Sequence, residues 1–206
     1  MTVGVLAIQG DYEAHRVVLE RLGAEVKFVR KPEELDAVDA LIIPGGESST
    51  FLKFLEQRGF LQRLAEFVKA KPTFGTCAGA ILLAKEVVGP EQRSLGALDI
   101  RVRRNAYGRQ MESSIRQGRL VPAHATPNLS ARSSAADDPL EMVFIRAPKI
   151  ERVGKGVEVL AMQGDDPVLV RQGRIMAATF HPELSADTRV HEAFLKMWGE
   201  NPEPRA

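Results

Sequence analysis

Short apolar runs alternate with amphipathic stretches through the first half of the chain. Apolar residues dominate positions 3–8 and 40–43, and each run ends in turn-forming residues, which is typical of strands buried on both faces of a sheet. Between and after them, apolar positions recur at helical spacing over 12–22 and 49–69, with a break at Gly59. The same reasoning predicts further strands at 25–30 and 72–75 and a helix at 80–87. The alternation predicts a parallel sheet with helices on both faces.

The pattern changes in the second half of the chain, where helical spacing is scarce until an amphipathic stretch at 187–198. Two apolar runs flank Gly173 as in a hairpin. We therefore predict a smaller antiparallel or mixed layer beside the parallel sheet. The predicted strands of this half are 99–103, 142–145, 157–162, 168–172 and 175–180.

Composition supports one domain, which we place at residues 1–200. Residues 118–139 are rich in Pro, Ser, Ala and Asp, which predicts a mobile surface loop, and residues 201–206 are expected to be a flexible tail. With 28 basic and 27 acidic residues the formal charge is +1, so no strong field favours nucleic acid or an anionic membrane. No apolar run approaches the ~18 residues of a membrane span. A single cysteine excludes an intramolecular disulfide and indicates a reducing, cytoplasmic setting.

That cysteine, Cys77, lies in the sequence Phe-Gly-Thr-Cys-Ala-Gly-Ala, between a predicted strand and a predicted helix. A side chain on such a sharp turn projects from the sheet edge, and the N-terminus of the following helix favours the thiolate, the reactive form. The pattern therefore predicts a nucleophile. A tight βα turn with a buried, inert cysteine is the alternative, and the spacing alone favours neither.

A general base is predicted in the sequence Phe-His-Pro-Glu that follows the last apolar strand. In an extended segment, residues two apart point the same way, so His181 and Glu183 are expected to face a common site. His181 would then exchange a proton with the sulfur while Glu183 orients the imidazole. The remaining histidines, at 15, 124 and 191, have no comparable setting in the sequence.

The sequence Pro-Gly-Gly-Glu-Ser at 44–48 also ends a predicted strand. Paired glycines let the backbone approach a ligand closely and point N–H groups at it. We predict that the amides of Gly46 and Ala78 form an oxyanion hole. A plain strand-to-helix turn capped by Ser48 or Ser49 is the alternative and is compatible with the same function.

Taken in order, PGGES, GTCAG and FHPE resemble the motifs of the class I, or triad, glutamine amidotransferases. That resemblance spans almost the entire chain. It implies an α/β, flavodoxin-like, three-layer fold with a central, mostly parallel sheet and a smaller antiparallel or mixed extension. Within that superfamily, four segments are similar to the glutaminase subunits of pyridoxal 5′-phosphate synthases: 4–10, 44–50, 104–110 and 144–148.

This resemblance implies hydrolysis of L-glutamine to glutamate and ammonia through a γ-glutamyl thioester on Cys77, with no cofactor and no metal. The ammonia would pass to a separate (β/α)₈-barrel synthase subunit, in a large ring of heterodimers, and glutaminase activity would require that partner. Gln9 would couple partner docking to the oxyanion hole. The residues that the resemblance assigns to glutamine binding are Gly46, Glu47, Ser48, Arg104, Ile145 and Arg146.

Two other functions fit parts of the sequence. The chain could be the glutaminase subunit of another amidotransferase, such as imidazole glycerol phosphate synthase, although the motifs around the paired glycines usually differ there. It could also be an inactive regulatory subunit that keeps the fold for docking alone. The presence of Cys77, His181 and Glu183 argues against that second alternative.

Overall fold

Five parallel strands form one half of the central sheet in the computed structural model, which describes residues 1–106, 113–121 and 139–199. Along the sheet, the first, second, third and fourth strands of the chain and its last strand take the order β2-β1-β3-β4-β12. This is the flavodoxin-like order, with its switch point between β1 and β3, and it confirms the predicted fold class. The bounds are β1 Thr2–Leu6, β2 Glu25–Val29, β3 Ala40–Ile43, β4 Thr73–Thr76 and β12 Ile175–Ala178.

Antiparallel strands extend the sheet beyond β12, in the order β11-β10-β7-β8, to nine strands in all. The predicted hairpin at Gly173 is confirmed, because β11 and β12 pair antiparallel on either side of it. Three other strands, β5, β6 and β9, form a separate small sheet. The bounds are β5 Ala84–Val88, β6 Leu98–Arg103, β7 Ser113–Leu120, β8 Leu140–Ile145, β9 Lys149–Val153, β10 Glu158–Gln163 and β11 Asp166–Gln172.

Helices cover both faces of the parallel half. The predicted break at Gly59 is confirmed, because this residue has a φ of 71° and separates α2 from α3. None of the described helices is both long and apolar enough to cross a membrane. The α-helices are α1 Tyr12–Arg21, α2 Ser48–Gln57, α3 Phe60–Ala70, α4 Ala78–Leu83 and α5 Arg189–Gly199, and 3₁₀ turns occupy Pro32–Ala37 and Pro182–Leu184.

The core consists of two apolar clusters, one on each face of the sheet. Successive residues of β3 alternate between them: Ile42 packs with α1 and α5, and Ile43 packs with α2 and α3. Because side chains of a strand alternate faces, a run that is apolar at every position needs cover on both sides. The all-apolar strands thus require the three-layer arrangement.

Three segments differ from the sequence-based prediction. The helix predicted over 80–87 ends at Leu83, and Ala84–Val88 forms β5, which pairs with β6. Strands β7 and β9 were not predicted, because their sequences, SSIRQGRL and KIERV, are mostly polar and are held in place by pairing with neighbouring strands. The start of the loop predicted at 118–139 belongs to β7, whereas residues 122–138 and 201–206 lie outside the described residues.

We predict that Gly79→Ala lowers the free energy of unfolding by about 1–3 kcal/mol, the usual cost of overpacking. A Cβ at Gly79 would overlap the backbone carbonyl oxygen of Ile43, and this cost should exceed the gain in helix propensity. Urea unfolding of the purified chain measures the change. Gly4→Ala is the matched control, because a Cβ there meets only side-chain atoms, the nearest being Val38 Cγ2 at 2.9 Å, and should cost less than overlap with a backbone oxygen. Equal losses in the two variants would contradict the prediction.

Candidate active site

Cys77 occupies a strained turn between β4 and α4. Its backbone angles, φ 48° and ψ −101°, are unusual for a residue with a side chain, and such conformations cost about 1–3 kcal/mol. The surrounding structure holds the turn: the Cys77 amide donates to Ala178 O at 2.9 Å, and a Cβ on Gly75 would come within 2.6 Å of the Gly79 carbonyl carbon. The predicted elbow is therefore present, and its small residues are required by backbone contact.

The imidazole of His181 reaches the cysteine across Gly45. A Cβ on Gly45 would overlap the His181 ring and lie 3.3 Å from the Cys77 Cβ, so only glycine allows both side chains to sit against this backbone. The Cys77 thiol itself points to the carbonyl oxygen of Ile145, 4.0 Å away. The residue that follows, Arg146, has a φ of 43°. A second strained peptide thus faces the sulfur.

Glu183 holds the other side of the imidazole. Its Oε1 lies 2.8 Å from His181 Nδ1, and both side chains are buried. The extended segment predicted for this pairing is wrong, since Pro182–Leu184 forms a 3₁₀ turn. The turn curls the carboxylate back onto the ring of the residue two positions before it.

Burial alone would lower the pKa of His181, but interactions with Cys77 and Glu183 raise it from 6.5 to about 10. The imidazolium is therefore the form that this site stabilises. Because folding raises this pKa, the charged ring stabilises the fold fully below about pH 6.5, and that contribution is lost as pH rises through about 10.

Two histidines without an evident setting in the sequence lie beside the His181–Glu183 pair. His15 Nε2 is 3.4 Å from Glu183 Oε2, and His15 Nδ1 is 3.0 Å from His191 Nε2. Both rings are fully buried. They come from α1 and α5, and the two histidines are 176 residues apart along the chain. Spacing in the sequence carries no signal for this contact. The fourth histidine, at position 124, lies outside the described residues.

A cavity of about 200 Å³ opens beside Cys77 and is bordered by two arginines, Arg104 and Arg146. Arg104 is largely buried, and its Nη2 donates to Ser49 Oγ at 2.6 Å and lies 3.7 Å from Glu47 Oε1. The residues predicted to bind glutamine therefore surround one space. Those that line it are Gly46, Glu47, Ser48, Arg104, Ile145 and Arg146, together with Asp11, Cys77, Ile81, Asn105, Pro148 and His181.

Glu47 caps helix α2 instead of Ser48 or Ser49. Its carboxylate accepts hydrogen bonds from the amides of Ser49 at 3.0 Å and Thr50 at 2.6 Å. Hydrogen bonding, mainly with Thr50 and also with Ser49, lowers the pKa of Glu47 to about 2. The Ser48 hydroxyl donates to Gln92 Oε1 at 3.1 Å. The cap therefore fixes the loop next to the cavity.

Gln9 ties the β1 loop to the paired glycines. Its side-chain amide donates to Glu47 O at 2.9 Å and packs against Gly46, whose φ is 136°. Gly10 also leaves no room for a Cβ, which would overlap the Gly45 carbonyl oxygen. The peptide around Gly46 is thus positioned by direct contact with the Gln9 side chain.

Asp11 is a residue of this region that the sequence analysis did not assign to the site. It occupies the N-cap of α1 but makes no side-chain capping bond, and it borders the cavity. Asp11, His181 and Glu183 have potential ligand atoms within 4.8 Å of one another, so they are the described group that could approach a metal. Within this group, Oε1 of Glu183 is already hydrogen-bonded to His181.

A strained cysteine at the end of a parallel strand, a His–Glu pair and a glycine-rich loop around one cavity are features of the amidotransferase pattern. The model of the SNO glutamine amidotransferase family matches residues 5–200. The chain belongs to that family.

Individual relatives agree with the family assignment. The chain is 61% identical over 197 residues to the pyridoxal 5′-phosphate synthase subunit PdxT of Koribacter versatilis, covering 96% of this chain and 95% of the relative. It is 50% identical to PdxT of Thermosipho africanus, with 96% and 98% of the two chains covered. Relatives named PdxT thus match this chain over almost its whole length.

Solved structures support the fold. A crystal structure described as glutamine amidotransferase superposes with a TM-score of 0.83 at 48% identity, covering 96% of this chain and 98% of the other. The structure of PurLQS from Thermotoga maritima gives a TM-score of 0.69 at 14% identity, over 95% and 97% of the chains. The second match concerns the fold alone. The first relates this SNO-family chain to a solved amidotransferase.

We predict that, in this SNO-family protein, His181 is still protonated at pH 7.5, where an ordinary histidine is neutral. The Glu183 and Cys77 interactions outweigh burial at His181. NMR titration of the imidazole ¹⁵N resonances measures the protonation of each ring. His15 and His191 are internal controls. Burial is the main cause that lowers the pKa of both rings, that of His191 to about 4, so both should be neutral at pH 7.5. A His181 midpoint near 6.5 would contradict the prediction.

Proposed function

We propose that this chain is a glutaminase, the ammonia-releasing subunit of a pyridoxal 5′-phosphate synthase. The observation that carries the proposal is that Cys77 and His181, whose ring is held by Glu183, line the same cavity as Arg104 and Arg146. A thiol and its base then act on one end of a small molecule while two cations hold the other. L-Glutamine has this form, with a carboxamide at one end and an α-carboxylate at the other.

The Cys77 thiol transfers its proton to His181, and Sγ attacks the carboxamide carbon to form a tetrahedral oxyanion. His181 then gives its proton to the nitrogen, the C–N bond breaks, and ammonia leaves a γ-glutamyl thioester on Cys77. A water molecule, deprotonated by His181, attacks the thioester, and the S–C bond breaks to give glutamate and the free thiol. Glu183 keeps Nδ1 of His181 protonated and the ring oriented through both steps.

The amides of Gly46 and Ala78 are the proposed oxyanion donors. Ala78 is the first residue of α4, so its N–H has no partner within the helix. Gly46 is positioned by the Gln9 side chain, which also bonds Glu47 O. A displacement of Gln9 by a docking partner would therefore move one of the two donors. This is the physical route by which we propose that partner binding controls the reaction.

Glutamine binding follows from charge and space. Arg104 and Arg146 suit the α-carboxylate, because a guanidinium can donate two parallel hydrogen bonds to it. The Ile145 carbonyl, which faces the sulfur, is an acceptor for the substrate's nitrogen atoms. Glu47 and Ser48 contribute mainly through the loop conformation that they stabilise, since their side chains bond to α2 and Gln92.

The partner is proposed to be a (β/α)₈-barrel synthase subunit, in a ring of heterodimers that keeps ammonia from solvent in the reducing cytoplasm. The support is the name PdxT, a synthase subunit, carried by relatives up to 61% identical. Nothing in the described part of the chain favours the imidazole glycerol phosphate pathway. A subunit that serves docking alone would not need the strained Cys77 or the buried His181–Glu183 pair.

Ammonia release from L-glutamine, measured with and without the synthase subunit, tests the reaction and the partner together. We expect turnover only with the pyridoxal 5′-phosphate synthase barrel. Activation by an imidazole glycerol phosphate synthase barrel instead would refute this assignment and leave the triad chemistry intact.

Replacing the nucleophile should separate chemistry from docking. We predict that Cys77→Ala lowers kcat for ammonia release by at least about a thousandfold, as removal of a covalent nucleophile does in other triads. Binding of the synthase subunit, followed by sedimentation velocity, should be unchanged. Full turnover by this variant would refute the covalent mechanism.

Arg104 and its neighbour Arg103 offer a matched pair of variants. We predict that Arg104→Gln raises KM for glutamine about tenfold or more, since hydrogen bonds to a charged group contribute about 1.5–3 kcal/mol. The Arg103 side chain is exposed and pairs with Glu151 on the small sheet, away from the cavity. Arg103→Gln should therefore leave KM unchanged. Steady-state ammonia release with the synthase subunit measures both, and similar KM values in the two variants would contradict the assignment.

A further inference from the structure

A line of buried polar groups continues from the triad into the core. Glu183 directs Oε1 to His181 and Oε2 toward His15, whose other ring nitrogen meets His191. Among the described residues, Glu183 is the one acidic side chain in the buried class, and the side chains of Glu183 and His15 have no solvent exposure. A buried carboxylate requires partners for both oxygens. His181 supplies one of them, and His15 is the polar side chain that faces the other.

The protonation pattern of this line follows from the carboxylate. Burial is the main cause that lowers the pKa of His15 well below its usual range, and positive charge on His191 or His181 lowers it further. The His15 ring is therefore neutral and carries one N–H. An ionised carboxylate only accepts hydrogen bonds, so that proton belongs on Nε2, which faces Glu183 Oε2 at 3.4 Å and Thr76 Oγ1 at 3.3 Å. Nδ1 of His15 then accepts from His191 Nε2–H at 3.0 Å.

The bond to Glu183 is not fully formed in this state. Oε2 of Glu183 has no hydrogen bond of good geometry within the described part of the chain, although His15 Nε2 is within reach. Thr76 shares the same donor and precedes Cys77 in the chain. Hydrogen bonds of catalytic groups are often long before substrate binds and shorten in the reactive complex. His15 Nε2 is therefore a donor within reach of the Glu183 oxygen that lacks a well-aligned hydrogen bond.

We propose that His15 is a positioning residue for the triad, which fixes the carboxylate of Glu183 through Oε2 so that Oε1 stays aligned with His181. The inference rests on the proposed glutaminase function and deepens it. Glu183 lies on a turn of three residues, Pro182–Leu184, and rotation about its side-chain bonds would carry Oε1 away from His181. With one oxygen held by each histidine, that rotation is blocked. His191 in turn sets the tautomer of His15.

The test compares a variant that keeps the donor with one that removes it. His15→Gln places an amide N–H where ring Nε2 lies, whereas His15→Leu fills similar space without a donor. We expect His15→Leu to lower kcat for ammonia release about tenfold, the lower end of the effect of removing a partner that orients a functional group. KM should stay within about twofold, because His15 does not border the cavity. His15→Gln should recover most of the kcat. All variants are assayed as complexes with the synthase subunit.

A double-mutant cycle with Glu183→Gln identifies the route. If His15 acts through Glu183, His15→Leu has no further effect on kcat in the Glu183→Gln background. Val18→Ala, a buried truncation on the same helix, is the control for lost stability and should keep the wild-type kcat. A multiplicative loss in the double mutant, or equal losses in His15→Leu and His15→Gln, would overturn the proposal, as would a wild-type kcat in His15→Leu.

A second readout separates this proposal from the glutaminase assignment. Alkylation of Cys77 by iodoacetamide at pH 7 reports how well the imidazole supports the thiolate and needs neither glutamine nor turnover. Slower alkylation in His15→Leu, restored in His15→Gln, is the expected result, and equal rates in the two variants and the wild type would overturn the inference. If the wild-type complex releases no ammonia, the proposed function fails, and the alkylation rates still decide the role of His15.

Discussion

The buried carboxylate of Glu183 is the constraint on which the arrangement around the site depends. A charge removed from water needs hydrogen bonds or an opposite charge, or it loses its charge instead. Here the partners come from distant parts of the chain: His181 follows β12 and His15 lies on α1, which is held in turn by His191 on α5. The helix at the start of the chain and the helix at its end therefore meet beside this carboxylate, with His15 facing it and His191 in contact with His15.

The other side of the site is governed by backbone contact. Gly10 meets Gly45, and Gly79 meets Ile43, each at a distance that excludes a Cβ. These contacts bring the ends of β1, β3 and β4 together and leave the Cys77 turn no relaxed alternative, which is how strained backbone persists. Side-chain hydrogen bonds thus set the protonation of the base, whereas backbone contacts, together with the Gln9 side chain at Gly46, set the positions of the amides proposed to meet an oxyanion. Proton transfer and oxyanion stabilisation rest on different parts of the fold.

Much of the fold and of the candidate site was determined by the sequence itself. The all-apolar runs, the helical periodicities and the break at Gly59 define the parallel half, because those patterns are local and burial on both faces admits few other structures. The motifs around Cys77, Gly46 and His181 were likewise predicted to meet, and the structure brings them to one cavity. The turn at Pro182 was mistaken for an extended segment, since proline restricts its own backbone similarly in both.

Tertiary structure decided the remaining strands and the histidine contacts, because strand pairing and side-chain packing act between segments far apart in the chain. Strands β7 and β9 are too polar to be recognised alone and exist through pairing, and Ala84–Val88 is a strand because β6 lies beside it. His15 and His191 resemble any helix histidine in the sequence. Only packing of α1 against α5 places them behind Glu183, where burial and one buried negative charge give each ring a defined partner.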